Sequence, residues 1–246
     1  MPIHTINGYD HYFEDVGSGP PLMMVHGNIT VTTEVIARHI PDLSKEFRII
    51  VPELRGMGKS EHTRDLTPSS WCDDLVGLID DLELQTVHLF GEANGSRTAL
   101  RFAFDHPERV RSLVVNAPII HGDDASNEFT EKRFRPASAS TEQAEEFQNL
   151  HGDDWVNVVN TYLDMRNSPE AQEYFDMRQR AKAITAPTLV MRGDQRGDRI
   201  HPIEHAFLLY QEIEGAQLLI YPNAHNNIEE YDQEFRNFLK RFLLEH

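Results

Sequence analysis

Short apolar runs alternate with longer amphipathic stretches along most of the chain. Near the start, two weakly alternating segments within residues 2–16 flank Asn7-Gly8, a dipeptide typical of a tight hairpin turn. Further along, continuous apolar runs predict strands buried on both faces. These runs lie at 22–25, 47–51, 87–91, 113–115, 187–191 and 217–221. Together with the two strands of the hairpin, they predict eight strands.

Between these runs, apolar residues recur at the spacing of one helix face. Such stretches cover about 31–44, the segment that ends near Leu84, 95–105, the segment from Pro202 to Ile213, and 231–244. Strands that alternate with helices are typical of a parallel sheet covered on both sides. The pattern therefore predicts an α/β fold, with a mostly parallel eight-stranded sheet and helices on both faces.

One segment breaks this alternation. From about 121 to 186 the chain is polar and helical, without a buried-strand pattern. We interpret it as a helical cap inserted after the sixth strand, so that residues 1–120 and 187–246 form the two parts of the core. Trp155 lies in this segment at helix-like spacing. Two interpretations of it are open: lining a substrate pocket or packing within the cap.

Charge and composition exclude several classes of protein. The chain has 246 residues, 39% of them hydrophobic, and a formal net charge of −17, which disfavours nucleic acid and anionic membranes as partners. The single cysteine, Cys72, permits no internal disulfide. The N-terminus shows no signal peptide, and no apolar run reaches the ~20 residues that span a bilayer. We expect a cytoplasmic protein, monomeric or homodimeric, without membrane attachment.

Residues 87–99 carry the most specific chemical signal. An apolar run ends at Gly91, and Gly95 opens a helical stretch, which predicts a strand, a sharp turn and a helix. This is the layout of Gly-x-Ser-x-Gly, in which the turn exposes a nucleophile above a sheet. Here the central residue is Ala93. Because reactive groups gather beyond the carboxyl ends of parallel strands, the strand-end residues His26-Gly27-Asn28, Asp198 and His225 should lie nearby.

Five motifs in order resemble the α/β-hydrolase fold family in its capped, serine-hydrolase-like branch. They are His26-Gly27, the turn with Arg55, Gly56, Gly58 and Ser60, the turn at Ala93, the segment from Asp105 to Val110, and the late loops with Gly193-Asp194 and His225. The resemblance covers nearly the whole chain and implies a triad in the order nucleophile, acid, base. It places Ala93 at the nucleophile position and His225 at the base position. It favours Asp198 as the acid, in a loop about two residues longer than usual, with Asp194 as the alternative.

The chemistry of such a triad explains why Ala93 matters. A serine hydroxyl gives its proton to an imidazole, and a carboxylate orients that imidazole. The backbone N–H groups of Asn94 and Asn28 would stabilise the developing oxyanion, and His26 would support that turn. A methyl group at position 93 has no proton to transfer and forms no covalent intermediate. The chain should therefore bind a carbonyl compound without forming an acyl-enzyme.

Two interpretations of Ala93 are open, because the flanking glycines and the helix disfavour a third, in which the turn is misplaced. The first, which we favour, is a hydrolase of a small ester or lactone, or of a carbon–carbon bond next to a ketone, disabled by a serine-to-alanine change. The second is a natural non-hydrolytic relative that binds a ligand, or a cofactor-free lyase with His225 as a lone base. Neither needs a cofactor. His121-Gly122-Asp123-Asp124 recurs as His151-Gly152-Asp153-Asp154, and we interpret both as turns near helix starts and not as metal sites.

Overall fold

A computed structural model describes residues 3–27, 29, 40–195, 198, 200–224 and 233–246. In these residues the strands form one eight-stranded sheet with the order β1-β2-β4-β3-β5-β6-β7-β8. The strands are β1 (Ile3–Ile6), β2 (Tyr9–Val16), β3 (Pro21–Val25), β4 (Arg48–Pro52), β5 (Val87–Glu92), β6 (Val110–Asn116), β7 (Thr188–Gly193) and β8 (Gln217–Tyr221). The predicted α/β fold is confirmed.

The first two strands form the hairpin that Asn7-Gly8 predicts. Both turn residues have positive φ, 54° for Asn7 and 86° for Gly8, as a type I′ turn requires. The hairpin joins the sheet through β2, which pairs antiparallel with β4. From β4 onwards every neighbouring pair of strands is parallel.

Helices cover the two faces of the sheet. They are α1 (Ile40–Leu43), α2 (Ser70–Asp81), α3 (Asn94–Asp105), α4 (Asp124–Phe134), α5 (Thr141–His151), α6 (Trp155–Arg166), α7 (Pro169–Tyr174), α8 (Ile203–Glu212) and α9 (Gln233–Glu245). The helix predicted over 31–44 lies largely outside the described residues. Helices α4 to α7 lie between β6 and β7, in the segment that the sequence predicts to be a cap.

Each central strand buries both of its faces. In β3, Met23 and Val25 belong to one hydrophobic core, which includes α2, α3 and the helices after β6, while Leu22 and Met24 belong to a second core that α9 covers. This explains why the strands read as unbroken apolar runs. Because the strands are parallel, the carboxyl ends of β3, β5, β6 and β7 meet at one edge of the sheet. A functional site is expected at this edge.

Candidate active site

The turn after β5 holds Ala93 in a strained backbone conformation. Ala93 has φ +49° and ψ −117°, between the last residue of β5 and the first of α3. Such values cost a non-glycine residue ~1–3 kcal/mol. Its N–H donates to the Asn116 carbonyl at 3.0 Å, and its own carbonyl accepts from the Ser96 N–H at 3.0 Å. The side chain is half-buried, so a group at this position can meet a ligand.

The two flanking glycines allow β5 and α3 to approach each other. A Cβ atom on Gly91 would lie 2.6 Å from the Gly95 carbonyl oxygen and 2.7 Å from the Ala99 Cβ. A Cβ atom on Gly95 would meet the carbonyl oxygens of Val25 and His26. Since ordinary Cβ contacts are longer, only glycine fits at either position. This geometry explains the two glycines that flank the turn in the sequence.

Ser96 is the nearest hydroxyl along the helix, but it has a structural role. Its side chain is fully buried. The hydroxyl donates to the Ala93 carbonyl and accepts from the Ile119 N–H at 3.0 Å. This links the turn to the segment after β6. Ser96 therefore positions the turn, and its buried hydroxyl is not accessible to a ligand.

Asn94 combines a backbone donor with a side-chain contact. It is the first residue of α3, and N–H groups in a first turn have no acceptor within their own helix. Its side-chain amide donates to the Tyr162 hydroxyl at 2.7 Å. Burial raises the pKa of Tyr162, so the phenol stays protonated at neutral pH. The turn is thus connected directly to α6.

The loop after β3 is held from two sides. The His26 Nε2 accepts a hydrogen bond from the Leu54 N–H at 3.1 Å, which joins this loop to the one after β4. From the other side, the His151 Nε2 lies 2.7 Å from the Ile29 carbonyl oxygen. This arrangement suits the supporting role that the sequence assigns to His26. Asn28, the predicted second oxyanion donor, lies outside the described residues.

The loop after β7 contains both candidate acids. The Asp198 carboxylate accepts from the backbone N–H groups of Ile200 at 2.9 Å and His201 at 3.0 Å, and it lies 3.0 Å from the His201 Nδ1. Burial acts to raise the pKa of Asp198, but the His201 side chain and these N–H groups outweigh it and hold the pKa well below its usual range. Asp198 is therefore ionised and already orients one imidazole.

Asp194 faces the loop that leads to the predicted base. Its carboxylate accepts from the Asn223 N–H at 2.7 Å. His225 itself lies outside the described residues. Its role as base, and the choice between the two acids, remain predictions. His201 is the residue that sequence reasoning missed here, although its position three residues after Asp198 is a usual spacing for a local contact.

Trp155 packs inside the helical segment. Its ring stacks on Phe147 with 5.6 Å between centroids, and it packs against the larger hydrophobic core. It does not line the small cavity beside Asn94. These contacts show packing among the helices, and a role of Trp155 in lining a substrate pocket stays a prediction.

A cavity of about 10 Å³ lies beside Asn94. Trp71, Met165 and Phe175 form its apolar wall, and its polar lining consists of Asn94, Arg97, Thr98, Tyr162 and Arg166. Sequence reasoning missed the two arginines. Arg97 shares a helix face with Asn94 through the i, i+3 spacing, which is a usable signal. Arg166 comes from the end of α6, and no local pattern places it here.

The two His-Gly-Asp-Asp motifs have separate structural explanations. Asp123 caps α4, because its carboxylate accepts from the Ser126 N–H at 2.6 Å. His151 ends α5 and contacts the loop after β3. In the described part of the chain, no group of three or more histidine, cysteine or acidic side chains is arranged to hold a metal ion. Over the same residues, none of the helices has the length and apolarity to cross a membrane.

The chain belongs to the α/β-hydrolase fold family. The sequence profile of that family, described as alpha/beta hydrolase fold, matches residues 20–143, half of the chain. A 2-hydroxymuconate semialdehyde hydrolase of Pseudomonas sp. strain CF600 is 30% identical, over 94% of this chain and 89% of the relative. A 2-hydroxy-6-oxo-2,4-heptadienoate hydrolase of Pseudomonas putida is 29% identical, over 96% and 93%.

Solved structures share the same fold. An α/β-hydrolase enzyme from a Medee basin deep-sea metagenome library superposes with a TM-score of 0.80 at 18% identity, over 98% of this chain and 97% of the other. A meta-cleavage product hydrolase from Pseudomonas fluorescens IP01 superposes with a TM-score of 0.76 at 22% identity, over 100% and 98%. At these identities the likeness concerns the fold. The predicted family and the mostly parallel eight-stranded architecture are confirmed.

Proposed function

We propose that this chain carries a serine-hydrolase-type site for a small carbonyl substrate, with alanine in place of the nucleophile. The observation that carries the proposal is the backbone of Ala93. Its φ of +49° is kept at a strained turn, although a methyl group derives no catalytic benefit from it. Glycine at this position, or drift of the turn, would relieve the strain. The retained geometry favours a position that held a catalytic serine over a position that lost its catalytic role long ago.

The substrate class follows from the site and its relatives. The Asn94 N–H at the start of α3 would donate to a carbonyl oxygen, with the Asn28 N–H as the second predicted donor. Two relatives near 30% identity are named for the hydrolysis of oxo-acids or semialdehydes. These names favour hydrolysis of a carbon–carbon bond next to a carbonyl, which is one of the reactions expected from the sequence, beside those of esters and lactones. The proposed substrate is therefore a small ketone, ester or lactone.

A serine at position 93 would complete the proposed reaction. Its Oγ would attack the carbonyl carbon while His225 takes its proton, and the leaving carbanion, alkoxide or enolate would receive that proton. Water would then release the acyl group. Asp198, or Asp194, would orient His225. Ala93 has no hydroxyl group that could attack the carbonyl carbon. We therefore propose that the unmodified chain binds such compounds but does not turn them over by this route.

Turnover by position-93 variants tests the proposal. Ala93→Ser should hydrolyse a panel of aryl esters, lactones and vinylogous diketones at least ~1000-fold faster than the unmodified chain, since loss of a triad nucleophile costs up to about 10⁶ in kcat. Ala93→Gly is the matched control, because it changes the same position and supplies no nucleophile. Equal rates for Ala93→Ser and Ala93→Gly would overturn the proposal.

The same panel separates the alternative function. If the unmodified chain cleaves a substrate at a rate that Ala93→Ser leaves unchanged and His225→Ala abolishes, a lone-base lyase is supported instead. If a carbonyl ligand binds tightly to both forms and neither turns it over, the protein is a binding protein. Both outcomes contradict the serine-hydrolase assignment.

A further inference from the structure

We infer that His151, at the end of α5, is a positioning residue for the oxyanion donor that the sequence predicts at Asn28. It acts through the neighbouring Ile29 and through the turn after β4, without touching the substrate. His151 is only 3% exposed, so it is part of the packed framework and not of the pocket surface. The inference rests on the proposed function, because it gives the segment between β6 and β7 a part in that reaction.

The loop after β3 lies directly against the turn at Ala93. A Cβ atom on Gly95 would lie 2.3 Å from the Val25 carbonyl oxygen and 2.5 Å from that of His26. The backbone that leads to Asn28 therefore packs on the first turn of α3. A donor in this loop serves a ligand at position 93 only if the loop keeps its course, because oxyanion donors act at about 2.7–3.1 Å.

Two neutral imidazoles hold this loop at its two ends. At the first end, the His26 Nε2 accepts from the Leu54 N–H at 3.1 Å. At the other end, the His151 Nε2 donates to the Ile29 carbonyl oxygen at 2.7 Å, and its Nδ1 accepts from the Gly58 N–H at 2.9 Å. The two N–H donors belong to one turn, so both ends of the loop are attached to the same piece of backbone.

The turn that supplies these N–H groups is itself tightly bonded. The Glu53 carboxylate accepts from the Lys59 N–H, and the Ser60 hydroxyl donates to the Glu53 carbonyl oxygen. Gly58 has φ +60°, and a Cβ atom there would lie 2.2 Å from the buried Glu53 carboxylate. The turn is therefore a fixed point, and His151 attaches the loop after β3 to it.

A neutral imidazole suits this bridge, because it has one donor and one acceptor. Burial is the largest influence on the pKa of His151 and lowers it, and the bond to the Ile29 carbonyl offsets this only in part. A second link between the same parts of the molecule joins His62 to Asp154 at 3.7 Å, with side chains 22% and 48% exposed. Exposed pairs contribute little. His151 is therefore the stronger of these two connections.

Kinetics in the Ala93→Ser background test the role, with p-nitrophenyl acetate as the probe and all variants folded at the assay temperature. His151→Leu removes both bonding atoms and should lower kcat by ~10–100-fold with KM changed less than ~3-fold, since a misplaced donor weakens transition-state stabilisation. His151→Gln retains a neutral donor and acceptor and should keep kcat within about fivefold of the parent. Asn149→Leu, on an exposed position of α5, should change neither constant. An unchanged kcat in His151→Leu, or equal losses in both His151 variants, would overturn the inference.

Backbone 15N relaxation separates this inference from the proposed function, because it needs no turnover. The order parameter of the Asn28 N–H should be about 0.85 in the unmodified chain and in His151→Gln, and below about 0.6 in His151→Leu. If this pattern holds while Ala93→Ser is no faster than Ala93→Gly, the proposed function fails and the positioning of the loop by His151 stands. Equal order parameters in all three proteins, or a low value in the unmodified chain, would overturn the inference whatever the activity of Ala93→Ser.

Discussion

The His151 imidazole donates from Nε2 to the Ile29 carbonyl oxygen, 2.7 Å away, and so joins the end of α5 to the loop after β3. Its Nδ1 accepts from the Gly58 N–H at 2.9 Å. The two bonds require the neutral ring with its proton on Nε2. The segment between β6 and β7 thus holds the loop in which the predicted donor Asn28 lies, although Ile29 and His151 are 122 positions apart in the sequence.

Removal of this imidazole should destabilise the protein. His151→Leu leaves the Ile29 carbonyl and the Gly58 N–H without their partner, and each unsatisfied buried group costs ~1–3 kcal/mol. We expect the free energy of unfolding to fall by about 2–4 kcal/mol in urea titrations. Asn149→Leu, on an exposed position of the same helix, should change it by less than about 0.5 kcal/mol. A His151→Leu protein as stable as this control would exclude the bridge.

Acid should destabilise the protein through buried histidines. Burial lowers the pKa of His88 to about 4 and that of His205, also buried, to about 4. Their unfolded pKa is ~6.5, so the unfolded chain binds more protons between these values and stability rises with pH there. The stability is therefore fully present above pH ~6.5 and is lost as pH falls towards 4.

A substitution of His88 isolates one of these groups. His88→Asn should reduce the slope of unfolding free energy against pH between 4 and 6.5, because one proton-binding difference disappears. Asn149→Ala, on an exposed position of α5, changes no proton-binding group, provides the control and should leave the slope unchanged. The measurement is a series of urea titrations across this range. An identical slope in His88→Asn and the unmodified chain would show that His88 is not buried as a neutral ring.

Relief of strain at the turn should stabilise the fold. Ala93→Gly removes a cost of ~1–3 kcal/mol at φ +49° and adds ~0.5–1 kcal/mol of unfolded-state entropy. The expected net gain is about 0.5–2 kcal/mol. Ala103→Gly, in the ordinary helical part of α3, should have the opposite sign, with a loss of at least about 1 kcal/mol. A loss of stability in Ala93→Gly would mean that position 93 is not strained.

The close approach of β5 and α3 predicts that a side chain at Gly91 destabilises the protein. Gly91→Ala places a methyl group 2.6 Å from a backbone carbonyl oxygen that cannot easily move. Overpacking of this kind costs ~1–3 kcal/mol. Gly122→Ala is the control, because its added methyl would meet the flexible end of the Gln172 side chain. Thermal unfolding should therefore separate the two variants by several degrees, and equal Tm values would contradict the close packing.

The sequence specifies the sheet because its signals are local. Asn7-Gly8 predicts the hairpin, and runs such as 22–25 predict strands buried on both faces. The turn around Ala93 is also local, since the flanking glycines and the helical periodicity from Gly95 define it. The pairing of Asp198 with His201 depends on the local course of a longer loop, which apolar periodicity does not describe.

The cavity behind the turn could not be predicted in the same way. Arg97 and Arg166 are 69 positions apart, and helix packing alone brings them together. In a sequence, each arginine is typical of an exposed helix face. Burial of both side chains is a property of the packed molecule, and it becomes visible only when the packing of the helices is known.

The assignment of position 93 as the nucleophile position is tested most directly by intact-protein mass spectrometry with a fluorophosphonate, which labels activated serine hydroxyls. Ala93→Ser should gain one phosphonyl group at position 93, because the imidazole of the base would take the proton and fluoride would leave. The unmodified chain should gain none. Labelling of the unmodified chain, or an Ala93→Ser protein that is folded and stays unlabelled, would contradict the assignment.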